Sequence, residues 1–198
     1  MAAAWDALYA AGAPYHGRAP PPFFGPLLVG DAVVLDIGCG AGKSLAALRQ
    51  AGPRWRLLGV DAASPAVRLA ARHAPAAQAD ARALPLRDAC VDAVRIDHLL
   101  GHLDDRSRGA AAREVERVLR PGGWLEVREA MTGDLRDGAG RSRGARAWER
   151  GGIVTRYVRE GELAALFRTC PGEESVDERA VRFASRPRRA LVLRARRL

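Results

Sequence analysis

The chain is 198 residues long, enough for one domain with a full core, and its 48% hydrophobic content is ordinary for a globular protein. No apolar run approaches the ~20 residues of a membrane-spanning helix, and Cys39, Cys90 and Cys170 are scattered without disulfide-framework or metal-ligand spacing, which predicts a reducing, cytoplasmic setting and no metal. The formal net charge is +9 and Lys43 is the sole lysine, so nearly all the positive charge is arginine and an anionic partner gains weight.

The first nine residues read as a short amphipathic helix with Trp5, Leu8 and Tyr9; they carry Asp6 and no basic run, so no secretory leader is expected. In residues 15–26 the prolines at 20–22 forbid a helix interior, and Phe23 and Phe24 pin a surface strap. Val33, Val34, Leu35 and Ile37 form a β-branched apolar run, the pattern of a buried parallel strand. That run breaks into Gly38, Gly40 and Gly42, alternating with small residues, and a helix-forming segment begins at Leu45. Strand, glycine turn and helix bring backbone N–H groups and a helix N-terminus against a ligand. Two phosphate-binding patterns fail on one residue each. The sixth place of Gly-x-Gly-x-x-Gly, counted from Gly38, is Lys43, and the first glycine of a P-loop would fall on Ile37.

A second strand over residues 57–60 ends at Asp61, 21 residues after Gly40, from where a carboxylate reaches ribose hydroxyls. Ser64 is placed to cap the next helix, with Pro65 in its first turn. A short third-strand region leads to Asp80 and Ala81, and a fourth strand over residues 90–96 ends at Asp97 and His98. Ligand crevices of open α/β sheets lie at the carboxyl ends of the strands, so Asp97 and His98 border one. Asp104 or Ser107 starts a helix over residues 109–119, whose Ala111, Val115, Val118 and Leu119 keep helical spacing and whose Glu114 and Arg117 read as a solvated pair. Leu119-Arg120-Pro121-Gly122-Gly123 makes a sharp turn into a fifth strand. Residues 132–152 are polar, arginine- and glycine-rich and aperiodic, and read as a long substrate-side loop. Between Gly133 and Arg159, seven arginines (Arg136, Arg141, Arg143, Arg146, Arg150, Arg156 and Arg159) stand against Asp134, Asp137 and Glu149. Residues 160–167 read as a helix, and residues 175–183 and 190–193 as a final hairpin.

Asp36 with the glycine turn, Asp61, Asp80, the Asp92-Ala93-Val94 strand and the Pro121-Gly122-Gly123 turn together resemble the class I S-adenosylmethionine (SAM)-dependent methyltransferases, in their methyltransferase 11 type. The resemblance implies an α/β fold: one Rossmann-like, doubly wound, seven-stranded sheet, mostly parallel with an antiparallel C-terminal strand, in one domain over residues 1–198. It implies SAM as cofactor, with Asp36 toward the ligand's positive charge, Gly38, Cys39 and Gly40 against its amino-acid and ribose parts, Asp61 and Ala62 at the ribose, Asp80 and Ala81 at the adenine, and Asp97 beside the methyl group. It also implies that residues 1–30 pack over the pocket, with Tyr15, His16 and Arg18 as lid or substrate residues. A weaker resemblance, carried by "DIGCGAGK", His102-Leu103 and "RYVREGEL" at residues 156–163, is to the tRNA wobble-uridine carboxymethyl methyltransferases; of the two histidines those enzymes carry after the fourth strand, Gly101 stands at the first place and His102 at the second. That resemblance points to a tRNA acceptor contacted by the arginines of residues 136–159, with room for an activating subunit; a small metabolite, or a catalytically silent partner role, are the alternatives. An amine, phenol or alcohol acceptor needs a proton acceptor, and His98, His102 and Asp97 are the candidates in that order.

Overall fold

The computed structural model describes residues 2–12, 19–182 and 184–198, so Tyr15, His16 and Arg18 lie outside the described residues. In chain order the elements are α1 (Ala2–Ala10), β1 (Val33–Ile37), α2 (Lys43–Ala51), β2 (Arg56–Asp61), α3 (Ser64–Ala70), β3 (Ala76–Gln78), β4 (Val91–Asp97), α4 (Asp105–Val118), β5 (Leu119–Ala130), β6 (Arg141–Ser142), β7 (Ala147–Arg150), β8 (Ile153–Arg156), α5 (Glu162–Leu166), β9 (Gly172–Arg179) and β10 (Arg188–Arg196). Seven strands form a central sheet in the order β3-β2-β1-β4-β5-β10-β9. The first five are parallel, and β10 runs antiparallel to both β5 and β9. This is the expected mostly parallel, Rossmann-like α/β sheet.

Both faces of the sheet are covered, which is why β1 is apolar on both sides. Leu35, Ile37, Val94, Ile96, Leu125 and Val127 pack with Val115 and Val118 of α4 and Leu163 of α5. Val34 and Ala93 face the other way, onto Leu45 and Leu48 of α2, Phe24 and Trp55. Asp104 caps α4 by accepting the Ser107 N–H at 2.8 Å, so that helix starts four residues earlier than its apolar spacing suggested. Ser64 is the first residue of α3 rather than its cap; its hydroxyl accepts from Arg68 at 2.9 Å.

The second face also carries charge. Register sets Asp36 of β1 beside Arg95 of β4, and Arg95 beside Glu126 of β5. All three are buried. The Arg95 Nε lies 3.4 Å from Glu126 Oε1, and its Nη2 donates to the Pro20 carbonyl at 2.9 Å. Glu126 Oε2 accepts the Phe23 N–H at 2.8 Å. The proline-rich strap is therefore held by two buried charges as well as by the rings of Phe23 and Phe24.

Three expectations change. Residues 132–152 are not an open loop: β6, β7 and β8 form a separate antiparallel sheet in that order. Its tightest turn is Gly151-Gly152 at φ +56° and +77°, between the paired Arg150 and Ile153, a two-residue turn with both central residues left-handed. The Pro121-Gly122-Gly123 stretch lies within β5 as an irregularity: Leu119 pairs with Val91, and pairing resumes at Trp124 with Ala93. Glu114 and Arg117 are not simply solvated. Arg117 binds Glu114, Asp88 and the carbonyls of Leu84 and Leu86, and Glu114 accepts the Leu84 N–H at 2.6 Å, tying the segment between β3 and β4 to α4.

Candidate functional site

The chain after β1 turns through Gly38 and Gly40 at φ +74° and +53°, a region that L side chains rarely occupy. The N–H groups of Gly38 and Cys39 both donate to the Val60 carbonyl, at 2.8 and 3.0 Å, fastening the turn to the end of β2. A Cβ on Gly40 would stand 2.5 Å from the Tyr9 hydroxyl of α1, so only glycine leaves that backbone bare. Asp61 completes the turn. Its Oδ2 accepts the Gly40 N–H and its Oδ1 the Ala63 N–H, each at 2.9 Å. Burial pushes its carboxyl above the usual range, the two amides pull it back, and Asp6 of α1 adds to the rise.

These residues form one lip of a crevice of about 1630 Å³ at the carboxyl ends of the parallel strands. Gly38, Cys39, Gly40, Asp61, Ala62, Asp80, Ala81, Asp97, His98 and His102 all line it. Trp5, Leu8 and Tyr9 of α1 and Ala19, Pro20 and Pro21 of the strap close it on the side of the glycine turn. Trp148 and Arg150 of β7, Ile153 and Thr155 of β8, and Arg128, Arg179 and Arg188 line it as well.

Asp36 does not line the crevice. Its register beside Arg95 sets it in the buried layer, short of the strands' carboxyl ends, where Oδ2 has no hydrogen-bond partner among the described residues. Burial raises its carboxyl to about 7 against the pull of Arg95. Asp97, two strand positions after Arg95 and on the same face, lines the crevice at the carboxyl end of β4. Its Oδ2 lies 3.5 Å from the Ser44 hydroxyl; its Oδ1 is buried, has no hydrogen-bond partner among the described residues and sits 3.6 Å from His98 Nε2. Asp80 borders the crevice but is clasped by its neighbour, accepting from Arg82 Nη2 at 2.6 Å and from the Arg82 N–H at 2.9 Å. The Arg82 guanidinium holds that carboxyl below the usual range.

His98 takes a left-handed conformation, φ +59°, and its N–H donates to the Arg128 carbonyl at 2.8 Å. Desolvation lowers its pKa against the opposing pull of Asp97, and Arg128, Arg188 and Lys43 lower it further. His102 Nδ1 lies 2.8 Å from the Val154 carbonyl of β8. A carbonyl only accepts, so Nδ1 carries the hydrogen and Nε2 is the lone-pair nitrogen. The ring meets Trp5 edge-on at 4.8 Å, and burial brings its pKa down to about 4.

One participant had no sequence signal. Glu129 of β5 is buried and accepts the N–H groups of Leu99, Leu100 and Gly101 at 2.8, 2.5 and 3.1 Å. It thereby fixes the short 3-10 turn Leu100–His102 that carries His102. Burial lifts its carboxyl to about 7 while the amides of that turn and Arg108 oppose the rise. Its partners lie 28 to 30 residues away, beyond any local pattern. Among the described residues no group of three or more His, Cys, Asp or Glu is placed to hold a metal, and no helix is long and apolar enough to cross a membrane.

Comparison with known proteins bears on this geometry directly. Residues 35–127 match the methyltransferase domain family of the methyltransferase 11 type. The chain is 36% identical over 103 residues to the demethylmenaquinone methyltransferase of Thermus thermophilus, a stretch that is 48% of this chain and 46% of that protein. The chain spans less than half the length of the curated relatives it matches. A SAM-dependent methyltransferase of Methanosarcina mazei superposes with a TM-score of 0.76 at 22% identity, over 92% of this chain and 99% of that one. The 1,6-didemethyltoxoflavin N1-methyltransferase of Burkholderia thailandensis, solved with 1,6-didemethyltoxoflavin and S-adenosylhomocysteine, superposes at 0.66 and 20% identity over 99% of this chain and 79% of that one. At such identities the superpositions establish a shared fold. S-adenosylmethionine is the cofactor that goes with the methyltransferase domain, and the residues present fit it. The glycine turn leaves backbone where a side chain would intrude, and the buried Asp97 Oδ1 is a carboxylate oxygen without a donor.

Proposed function

We propose that the chain is a SAM-dependent methyltransferase whose acceptor is a small molecule seated in the crevice beside Asp97, His98 and His102. The observation that carries this reading is the Asp61 to Gly40 hydrogen bond at 2.9 Å, which joins a ribose-reaching carboxylate to a bare glycine turn on the same lip of the crevice. When bound, SAM supplies an electrophilic methyl group on a positively charged sulfur. Asp61 keeps lone pairs beyond those given to Gly40 and Ala63, and these accept ribose hydroxyls. Asp97 sets its unpartnered oxygen against positive charge. Trp5, Leu8 and Tyr9 exclude water from the same lip. Holding the acceptor in line at near-attack distance is the main work of such a site, and intramolecular orientation of that kind can lower a barrier by several kcal/mol, up to about 7–11 kcal/mol.

For an acceptor with a proton to lose, His102 is the base we favour over His98. Its Nδ1–H is held by the Val154 carbonyl at 2.8 Å, so Nε2 stays in one orientation. With a pKa near 4 it is neutral across the physiological range, a weak base that is always in its basic form. A small acceptor is supported by the substrates in the names of the Thermus relative and the Burkholderia structure. It is supported as well by the internal partners of four of the seven arginines at residues 136–159. Arg141 and Arg143 bind Glu149, Arg146 binds Glu162, and Arg156 donates to the Leu103 carbonyl. The test is transfer of a labelled methyl group from SAM to a cell extract split into small molecules and bulk tRNA. Label in the small-molecule pool is expected; label confined to tRNA would refute the small-acceptor reading.

A further inference from the structure

We infer that the acceptor is an acid, whose carboxylate or phosphate group is gripped by Arg136, Arg150 and Arg179. The inference rests on the methyl-transfer reading above and names the substrate class for the same crevice.

It comes from following each charge around the far half of the crevice. Arg188 is answered by Asp134 at 2.9 Å, and Arg128 by Asp177. Asp134 is used up inside the protein, since it also accepts the N–H groups of Arg136 and Arg189 at 2.9 and 2.7 Å. No acid among the described residues pairs with Arg136, Arg150 or Arg179, and all three line the crevice. Arg179 is further set directly opposite Arg188 in the β9–β10 register. Like charges facing across a strand pair are destabilising; Asp134 answers Arg188, and no acid among the described residues pairs with Arg179. A bound anion gives Arg179 the partner it lacks.

All three side chains are exposed while lining the crevice, so a ligand reaches them without displacing an internal partner. Arg179 belongs to the central sheet, Arg150 to the end of β7, and Arg136 to the segment leading into β6, so three separate stretches of chain deliver unpaired guanidinium groups to one cavity. Guanidinium forks match planar carboxylate and phosphate oxygens two at a time. Trp148, held by its Nε1 donating to Asp137 at 3.1 Å, presents a fixed ring beside them for the body of the acid. Arg141 and Arg143, by contrast, share Glu149 and Arg146 pairs with Glu162, which favours a small acid in the crevice over a nucleic acid on that sheet.

The test titrates citrate and inorganic pyrophosphate separately into protein saturated with S-adenosylhomocysteine. At least one is expected to bind at one site. The combined Arg136→Gln, Arg150→Gln and Arg179→Gln variant should weaken it at least about tenfold and leave S-adenosylhomocysteine affinity unchanged. Citrate alone binding assigns a carboxylic acid; pyrophosphate alone assigns a phosphate ester. If neither binds, if the variant binds both as well as the parent does, or if tRNA binds and the two anions do not, the inference is overturned. Loss of S-adenosylhomocysteine binding in the parent protein would instead remove the methyl-transfer reading beneath it.

Discussion

Asp61 uses one carboxylate for two structural bonds, and in the proposed function its remaining lone pairs serve the ligand, which ties the turn to the site. Gly40→Ala adds a methyl group 2.5 Å from the Tyr9 hydroxyl at a backbone φ of +53°. It should weaken S-adenosylhomocysteine binding at least about tenfold in titration calorimetry, through both the contact and the left-handed strain. Glu129 makes a pH prediction. Its carboxyl is raised from 4.5 to about 7 in the folded protein, and Asp36 from 3.8 to about 7. Over that interval the folded state holds protons the unfolded state has lost, so stability is greatest at the acid end and falls as pH rises to about 7, by at most about 1.4 kcal/mol per pH unit for each group. Urea midpoints at pH 5 and 7.5 should show the fall, and Glu129→Gln should shrink it. At His102, with its pKa near 4, no acid limb attributable to this base should appear near pH 6.5 in a rate profile; a limb there that His102→Gln removes would contradict its assignment.

At the scale of elements, the buried Asp36, Arg95 and Glu126 row ties the strap to the sheet. Arg95→Leu leaves two buried carboxylates without their cation and should cost about 3–5 kcal/mol in urea unfolding; a cost below 1 kcal/mol would show that the row is not what holds the strap. β1 and its glycine turn were legible because a β-branched run and alternating glycines have few other uses, and Asp61 because its distance from the turn is set by one strand–helix–strand unit. The sheet of residues 141–156 was not, although Gly151-Gly152 before Ile153-Val154-Thr155 is a hairpin signal. The arginines around it hide the alternation that marks a strand. Asp36 stays out of the crevice because of its depth: closeness in sequence to the glycines does not fix how far along the sheet a side chain sits, and Asp36 lies level with Arg95, two positions short of Asp97 on the same face. Glu129 is invisible in sequence because it binds main-chain groups brought near only by the parallel pairing of β4 and β5.

Across the whole molecule the crevice divides by origin. The family match at residues 35–127 covers the glycine turn, Asp61, Asp80 and Asp97, whereas Trp148, Arg150 and Arg179, which also line the crevice, lie outside it. That division explains why the cofactor half was readable and the acceptor half was not. It also changes the meaning of the +9 charge. With Arg141, Arg143 and Arg146 paired within the protein, tRNA binding should be weak and lack the steep log–log salt dependence of a surface that neutralises many phosphates. The measurement that bears most directly on the account is calorimetry with S-adenosylhomocysteine on the parent chain and on Asp61→Ala. Saturable one-site binding that the substitution weakens at least about tenfold is the predicted result; equal affinity in both proteins, or no binding to the parent, would contradict it.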